Sequence, residues 1–297
     1  MKPSLKGWSI GFVGLGLMGR PMCLNLHQAG ADLVVFNRTS AVAKAFQQKG
    51  ITAVDSVAKL AQRVNMIILM VADTAAVESI LFAEQGLLEN LAAGSTVVDM
   101  GTTAVTATRQ FAKRLQIKGI EFIDAPVSGG EIGAINGDLS IMAGGSGQGI
   151  AKLQPVFDVL GKSTIHIGEV GCGQITKAAN QVIVGLNIGA VAEALTLAKR
   201  AGADLNKVRE ALMGGFAASR ILEVHGQRMI DQTFQPGGKV TTQHKDMTQA
   251  IELAAEYRQQ LPASELNRTL YAELIEQGKG DLDHSALILA LEKYRQI

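Results

Sequence analysis

The sequence predicts a doubly wound α/β domain followed by an almost wholly helical one. Three observations lead there. Continuous apolar runs alternate with segments of helical spacing from Trp8 to about Ile167. A Gly14-Leu15-Gly16-Leu17-Met18-Gly19 turn follows the first of those runs and opens a helical segment. Beyond Ile167 the strand patterning stops and helical spacing takes over.

Residues 8–13 are a short apolar run leading into glycines, and residues 18–29 repeat apolar side chains at helical spacing. Residues 32–36 are β-branched and apolar, 41–49 are helical again, and 66–71 form an unbroken apolar run. Residues 95–100, 121–126 and 139–143 read as further strands, with helices at 105–116 and 149–160. Runs without alternation fit strands covered on both faces, so the sheet is expected to be parallel. The second half reads as helices at 174–200, 206–214, 219–230, 248–257, 263–277 and 283–295. Residues 1–167 are thus expected to form one domain and 168–297 the other, hinged at 168–173.

Composition narrows the function classes. Apolar residues make up 47% of the chain and the formal net charge is +1, which excludes a disordered chain. With no basic surplus to neutralise phosphates, nucleic acid is not expected as a partner. Glycine is over-represented, 33 of 297 residues, without a triplet period and with only 6 prolines, so individual glycines are expected to have local tasks. Cys23 and Cys172 form no disulfide framework. Neither they nor His27, His166, His225, His244 and His284 stand at metal-ligand spacing, and no metal is expected. Residues 1–8 carry Lys2 and Lys6 but no cleavage site follows. The longest apolar stretch, 182–198, contains Asn187 and Glu193 and falls short of the roughly 20 residues of a membrane span. A buried helix, no membrane and a cytoplasmic location are therefore expected.

In the glycine turn, Gly14 would make the bend, Gly16 would let backbone approach a pyrophosphate, and Gly19 would let the helix pack on the strand. The helix N-terminus then offers N–H groups to the phosphates, with Leu15, Leu17 and Met18 between the glycines. A turn that merely packs tightly would use the same residues. The second strand ends in Asn37-Arg38-Thr39, where an NAD-binding domain would place a carboxylate on the ribose. Without that carboxylate, and with Arg38 able to pair with a 2′-phosphate, NADP is favoured over NAD. The open alternative is an Arg38 that stacks on adenine or is simply solvated.

Ser128-Gly129-Gly130 follows a strand, and its hydroxyl and N–H groups could cradle a substrate carboxylate or simply form a turn. Lys177 and Asn180, three residues apart on one helix face, are set among Ala178, Ala179, Val182 and Ile183. A buried lysine loses its proton readily and suits a donor near neutral pH. A lysine snorkelling at a helix start is the plainer reading of that residue alone. His244 is expected on an exposed loop.

Together these motifs resemble the β-hydroxyacid dehydrogenase family, which includes 3-hydroxyisobutyrate dehydrogenases and tartronate semialdehyde reductases. The resemblance covers essentially the whole chain. It rests on residues 11–22 (GFVGLGLMGRPM), residues 124–134 (DAPVSGGEIGA), residues 171–180 (GCGQITKAAN) and the late pair Lys245-Asp246. It implies a Rossmann domain joined by a long helix to an all-helical domain serving substrate and subunit contacts. It implies hydride exchange between NAD(P) and a small hydroxy acid or semialdehyde, and a homodimer or homotetramer. Lys177 becomes the catalytic residue with Asn180 beside it, and Lys245 reaches the cofactor and substrate. Val71, Ala72 and Thr102 would contact the nicotinamide, and Gly101, Thr102, Ser128, Gly129 and Gly130 the substrate.

The chain departs from the family at three places. Val71-Ala72 replaces a Leu-Pro pair, Gly101 replaces a serine, and Gln181 replaces a second asparagine, which bears on substrate identity more than on chemistry. Two other readings stay open. Imine reductases share this architecture, although they carry Asp or Tyr where this chain has Lys177. A non-enzymatic cofactor-binding or interaction protein could be built on the same fold.

Overall fold

The computed structural model describes residues 3–291. The chain divides into two compact units, Met1–Lys177 and Ala178–Ile297.

Among the described residues, the first unit is built on nine strands: β1 (Ser9–Val13), β2 (Asp32–Phe36), β3 (Thr52–Ala53), β4 (Met66–Leu69), β5 (Thr96–Asp99), β6 (Glu121–Asp124), β7 (Val127–Ser128), β8 (Leu139–Gly144) and β9 (Gly161–Gly168). The sheet order is β3-β2-β1-β4-β5-β6-β8-β7, with β9 added beside β8. From β3 to β6 every neighbour pair is parallel, and the middle strands β4 and β5 are buried at every position. That burial on both faces is why they show no alternation in sequence. The chain leaves β1 to build β2 and β3 on one side, then returns to place β4 on the other. Ligands of open α/β sheets bind at such a reversal, outside the strands' carboxyl ends.

Beyond β6 the expected parallel sheet becomes mixed, because β8 runs antiparallel to both β6 and β7. The strand β9, which the sequence reading did not single out, pairs parallel to β8. It is an edge strand with most residues exposed or half-buried, so its signal is weak. The sequence reading also passed over the short helices Val57–Ala61 and Thr74–Phe82. Both start on polar caps: Ser56 accepts from Lys59 N–H and Asp73 from Ala76 N–H.

A helix spanning Cys172–Arg200 runs from the first unit into the second. Its 29 residues are long and apolar enough, on those two criteria alone, to cross a membrane. Its contents argue for a core helix instead. Gln174 and Lys177 are buried and hydrogen-bonded within the first unit. Farther along, Ile188, Ala192 and Leu195 belong to the core of the second unit.

That second core is closed by the helices Leu205–Met213, Arg220–Asp231, Val240–Glu256 and Pro262–Glu276, followed by a short turn at His284–Leu287 and Ile288–Leu291. The helix read at 248–257 opens instead at Val240. Its first turns bury Gln243 and Asp246 beside Val240 and Met247, and polar residues at buried positions hide the helical period. Of the helix expected at 283–295, the part beyond Leu291 lies outside the described residues, as do Met1 and Lys2.

One fully buried carboxylate organises this unit. Asp283 Oδ2 accepts Gly237 N–H at 2.9 Å, Gly238 N–H at 3.2 Å and the Arg228 guanidinium at 2.6 Å. Its Oδ1 accepts the Ser285 hydroxyl at 2.6 Å and amide at 3.1 Å, with His225 Nδ1 at 3.4 Å. Burial opposes the charge, but the nearby His225 imidazole, the His284 charge and the Ser285 and Gly237 donors outweigh it, and the carboxyl is held far below its ordinary range. Asp283→Asn is expected to lower stability by about 2–4 kcal/mol at pH 7; Arg228, still 26% exposed, softens the cost of a broken buried pair. Because the folded-state value is depressed, this contribution is complete above the ordinary carboxyl value and drains away below it. Urea midpoints at pH 7 and pH 3 should therefore show the gap between parent and variant narrowing in acid.

Candidate active site

In the first unit the cofactor residues expected from sequence stand at the carboxyl ends of the parallel strands. The glycine turn follows β1, Asn37, Arg38 and Thr39 follow β2, Val71 and Ala72 follow β4, and Gly101 and Thr102 follow β5. The three glycines are there for different reasons. Gly14 has φ of +97°, and a Cβ on it would run into the Met70 carbonyl. A Cβ on Gly19 would strike the Gly14 carbonyl. A Cβ on Gly16 would meet nothing within 4 Å, so internal packing does not demand glycine there. The bare backbone at Gly16 leaves room for a group that approaches from outside.

The helix behind this turn, Gly19–Gln28, has no side-chain cap from Met18 and no acidic residue in its first turn. Arg20 N–H is bound to the Gly16 carbonyl at 3.0 Å and Pro21 has no N–H, so what the uncapped helix end offers an anion such as a pyrophosphate is chiefly its positive dipole end. Asn37 does not reach outward. Its Oδ1 accepts Leu15 N–H at 2.9 Å and its Nδ2 donates to the Thr39 carbonyl at 3.1 Å, so it shapes the turn. Leu15 is buried beneath the turn, whereas Leu17, Arg38 and Thr39 are exposed. A cofactor phosphate could pair with Arg38 there.

The ends of β5 and β6 form a second group. Gly101 lies so close to Val71 that an added Cβ would stand 3.1 Å from the Val71 carbonyl oxygen, which joins two of the expected site positions. Lys177 is 8% exposed, and its Nζ donates to the Val127 carbonyl at 2.9 Å. The ammonium is thereby held beside Ser128, Gly129 and Gly130, where Gly130 opens the helix Gly130–Asn136. Sequence spacing had related Lys177 only to Asn180, one turn along the same helix. The fold adds the substrate stretch.

Two residues that sequence reasoning left without a role, Asp124 and Gln174, tie this group together. Asp124 accepts Gly171 N–H at 2.7 Å and Gln174 N–H at 2.8 Å, capping the helix that carries Lys177. Burial pushes its carboxyl up to about 7; the Gly171 and Gln174 amides pull against that and the charge of Asp99 adds to it. The Gln174 carboxamide donates to the Gly101 carbonyl at 3.0 Å and accepts Thr103 N–H at 3.1 Å. Asp99 accepts Gly101 N–H at 3.0 Å and the Thr103 hydroxyl at 2.5 Å. A Cβ on Gly144 would sit 2.7 Å from both Asp124 Oδ1 and Gly173 N, so bare backbone lets the helix start approach the sheet.

In the second unit, Asn180 and Lys245 are linked through two intermediaries. Asn180 Nδ2 donates to Gln181 Oε1 at 2.7 Å, Gln181 Nε2 donates to Asp246 Oδ2 at 2.6 Å, and Asp246 Oδ1 pairs with Lys245 Nζ at 3.0 Å. Gln181, a departure from the family's asparagine, is thus an integral link in this chain. His244, expected on an exposed loop, sits within the helix Val240–Glu256. Partial burial and then the Arg268 charge lower its pKa. His225 and His284, unrelated in sequence spacing, face each other through Nε2 atoms 3.2 Å apart. With Asp283 they could geometrically hold a metal, but the oxygens of that carboxylate are already engaged by Arg228, Ser285, Gly237 and Gly238.

Comparison with known proteins bears on fold and cofactor class. Residues 9–168 match the NAD binding domain of 6-phosphogluconate dehydrogenase, and residues 171–291 match the family described as NAD-binding of NADP-dependent 3-hydroxyisobutyrate dehydrogenase. The chain is 45% identical to 2-hydroxy-3-oxopropionate reductase of Escherichia coli (strain K12), over 95% of this chain and 97% of that protein. A solved 3-hydroxyisobutyrate dehydrogenase from Salmonella typhimurium superimposes with a TM-score of 0.86 at 27% identity, covering 95% of this chain and 99% of that one. An imine reductase from Pseudomonas sp. is similar in fold only, with a TM-score of 0.63 at 20% identity over 98% of this chain and 100% of the other.

The glycine geometry separates folding from binding. Gly16→Ala is expected to leave the melting temperature within about 2 °C and to weaken NADPH binding at least tenfold, measured by fluorescence titration. Gly14→Ala should instead lower the melting temperature markedly, since φ and contact both exclude a side chain. Equal effects of the two substitutions on stability would contradict this division.

Proposed function

The chain belongs to the β-hydroxyacid dehydrogenase family of NAD(P)-dependent oxidoreductases, and on that premise we propose that it interconverts a small 3-hydroxy acid and its semialdehyde or oxo acid. The observation that carries the reading is the Lys177 ammonium, buried and hydrogen-bonded to the Val127 carbonyl beside Ser128-Gly129-Gly130. The identity to an enzyme named 2-hydroxy-3-oxopropionate reductase makes that semialdehyde the first substrate to test.

When bound, the nicotinamide cofactor supplies or accepts the hydride. Gly14, Gly16 and Gly19 with the N-terminus of helix Gly19–Gln28 would hold its pyrophosphate. Arg38 would pair with a 2′-phosphate, which favours NADP over NAD. Val71, Ala72 and Thr102 would border the nicotinamide. The Ser128 hydroxyl and the Gly129, Gly130 and Gly101 amides would hold the substrate carboxylate, with Thr102 alongside. Lys177, already aligned on a carbonyl oxygen, would donate its proton to the substrate carbonyl oxygen as negative charge develops there. In the oxidative direction the neutral amine would take the hydroxyl proton. In the second unit, Asn180 and Lys245 are assigned supporting roles in substrate and cofactor binding. Residues 1–167 would then serve the cofactor, and 168–297 the substrate and the contacts of a homodimer or homotetramer.

Lys177→Ala should lower kcat by at least 10³-fold while NADPH affinity stays within about threefold, read by steady-state assay and fluorescence titration. Retained turnover would remove Lys177 from the chemistry. Arg38→Ala is expected to raise KM for NADPH about tenfold or more and to leave KM for NADH nearly unchanged. The assay should cover tartronate, succinic and methylmalonate semialdehydes and glyoxylate. An unaltered enzyme that prefers NADH with all of them would overturn the assignment of Arg38.

A further inference from the structure

We propose that Gln174 is a positioning residue: its carboxamide fastens the loop 101–103 to the first turn of the helix that presents Lys177, while Asp124 fastens that turn to the sheet. This rests on the reading of Lys177 as proton donor and extends it to how donor and substrate cradle are kept in register.

Gln174 is 2% exposed, and both ends of its amide are engaged with one short loop, donating to Gly101 and accepting from Thr103. Either backbone group left unpaired in this interior would carry its full desolvation penalty. A carboxamide meets both needs at once. Glutamate would turn a second acceptor toward the Gly101 carbonyl, and lysine has no acceptor for Thr103. From the opposite side, Asp99 holds the Gly101 amide and the Thr103 hydroxyl. The loop that would border the nicotinamide and substrate is therefore clamped between a strand carboxylate and the helix.

Gln174 precedes Lys177 by three residues, so the two project from successive turns of one helical face. The Gln174 amide N–H is itself bound by Asp124, and Gly144 and Gly173 are bare so that this carboxylate can reach it. The backbone of residue 174 is thus fixed to the sheet and its side chain to the loop. Proton and hydride transfer need donor and substrate carbonyl aligned to a fraction of an ångström, and a 1 Å displacement costs about 10²-fold in rate. Gln174 and Asp124 couple the two parts whose spacing sets that alignment.

The test is Gln174→Met, which keeps the length of the side chain and removes both hydrogen bonds. It is expected to lower kcat about 10²-fold, to leave NADPH affinity within about twofold, and to raise the solvent deuterium isotope effect on kcat as proton transfer becomes limiting. A merely structural residue would lower the melting temperature without changing the isotope effect. If Gln174→Met does not fold, Gln174→Glu carries the test; it keeps the Thr103 acceptor, loses the Gly101 donor and should lower kcat about tenfold with NADPH affinity unchanged. A folded variant with parental kcat and isotope effect overturns the proposal. Should Lys177→Ala be inactive while folded Gln174→Met is fully active, only the positioning role falls. Should Lys177→Ala remain active, the underlying reading falls and the positioning role with it.

Discussion

The Asp124 carboxylate, lodged between a strand end and the start of the long helix, is the contact on which the arrangement of the first unit depends. It replaces the missing intrahelical partners of two amides, Gly171 and Gln174, at a point where no water reaches. Burial, and to a smaller degree the neighbouring Asp99, work against its charge and outweigh the pull of the two helix amides, which leaves the carboxyl at about 7. Such a contact holds only if the helix approaches the sheet closely, and Gly144 and Gly173 are the residues that permit it. One carboxylate therefore sets where the helix begins, and with it the position of Lys177.

The proposed chemistry rests on that placement more than on any single reactive group. Lysine is a poor proton donor to a carbonyl in bulk water, but here its ammonium is desolvated and aimed at a backbone carbonyl beside a pair of glycine amides. The cofactor side is arranged by the same economy of backbone. Gly14 and Gly19 are forced by contacts inside the chain, whereas Gly16 answers to nothing within it. In the second unit a different carboxylate, Asp283, gathers the Arg228 helix, the Gly237-Gly238 turn and the final short helices around itself. Asp246 does the same for Gln181 and Lys245.

Much of this was legible in sequence, and the exceptions share a cause. The apolar strands β1, β2, β4, β5, β6 and β8 announce themselves because they are buried on both faces. The glycine turn is legible because its spacing encodes a strand–turn–helix geometry. The strands β3, β7 and β9 are short or at an edge and carry little burial, so no apolar pattern marks them. The start of Val240–Glu256 was missed because its inward positions include Gln243 and Asp246, polar residues that read as surface. Asp124 and Gln174 stood inside motifs that had already been singled out, yet nothing in a linear string says that residues 124 and 174 touch.

The sequence by itself determined the order of the buried strands and the longer helices, the presence of a dinucleotide turn, the absence of a ribose-binding carboxylate and the candidacy of Lys177. These are local properties: burial periodicity, backbone permissiveness at glycine and the charge of a single side chain. Tertiary structure alone decided that Lys177 meets the stretch after β6, that Gln174 binds the loop after β5, and that Gln181 joins Asn180 to Asp246. Apart from the adjacent Asn180 and Gln181, those pairings are hydrogen bonds between buried polar groups far apart in the chain. Partner choice for a buried polar group is settled by which groups the folded backbone brings within hydrogen-bonding reach.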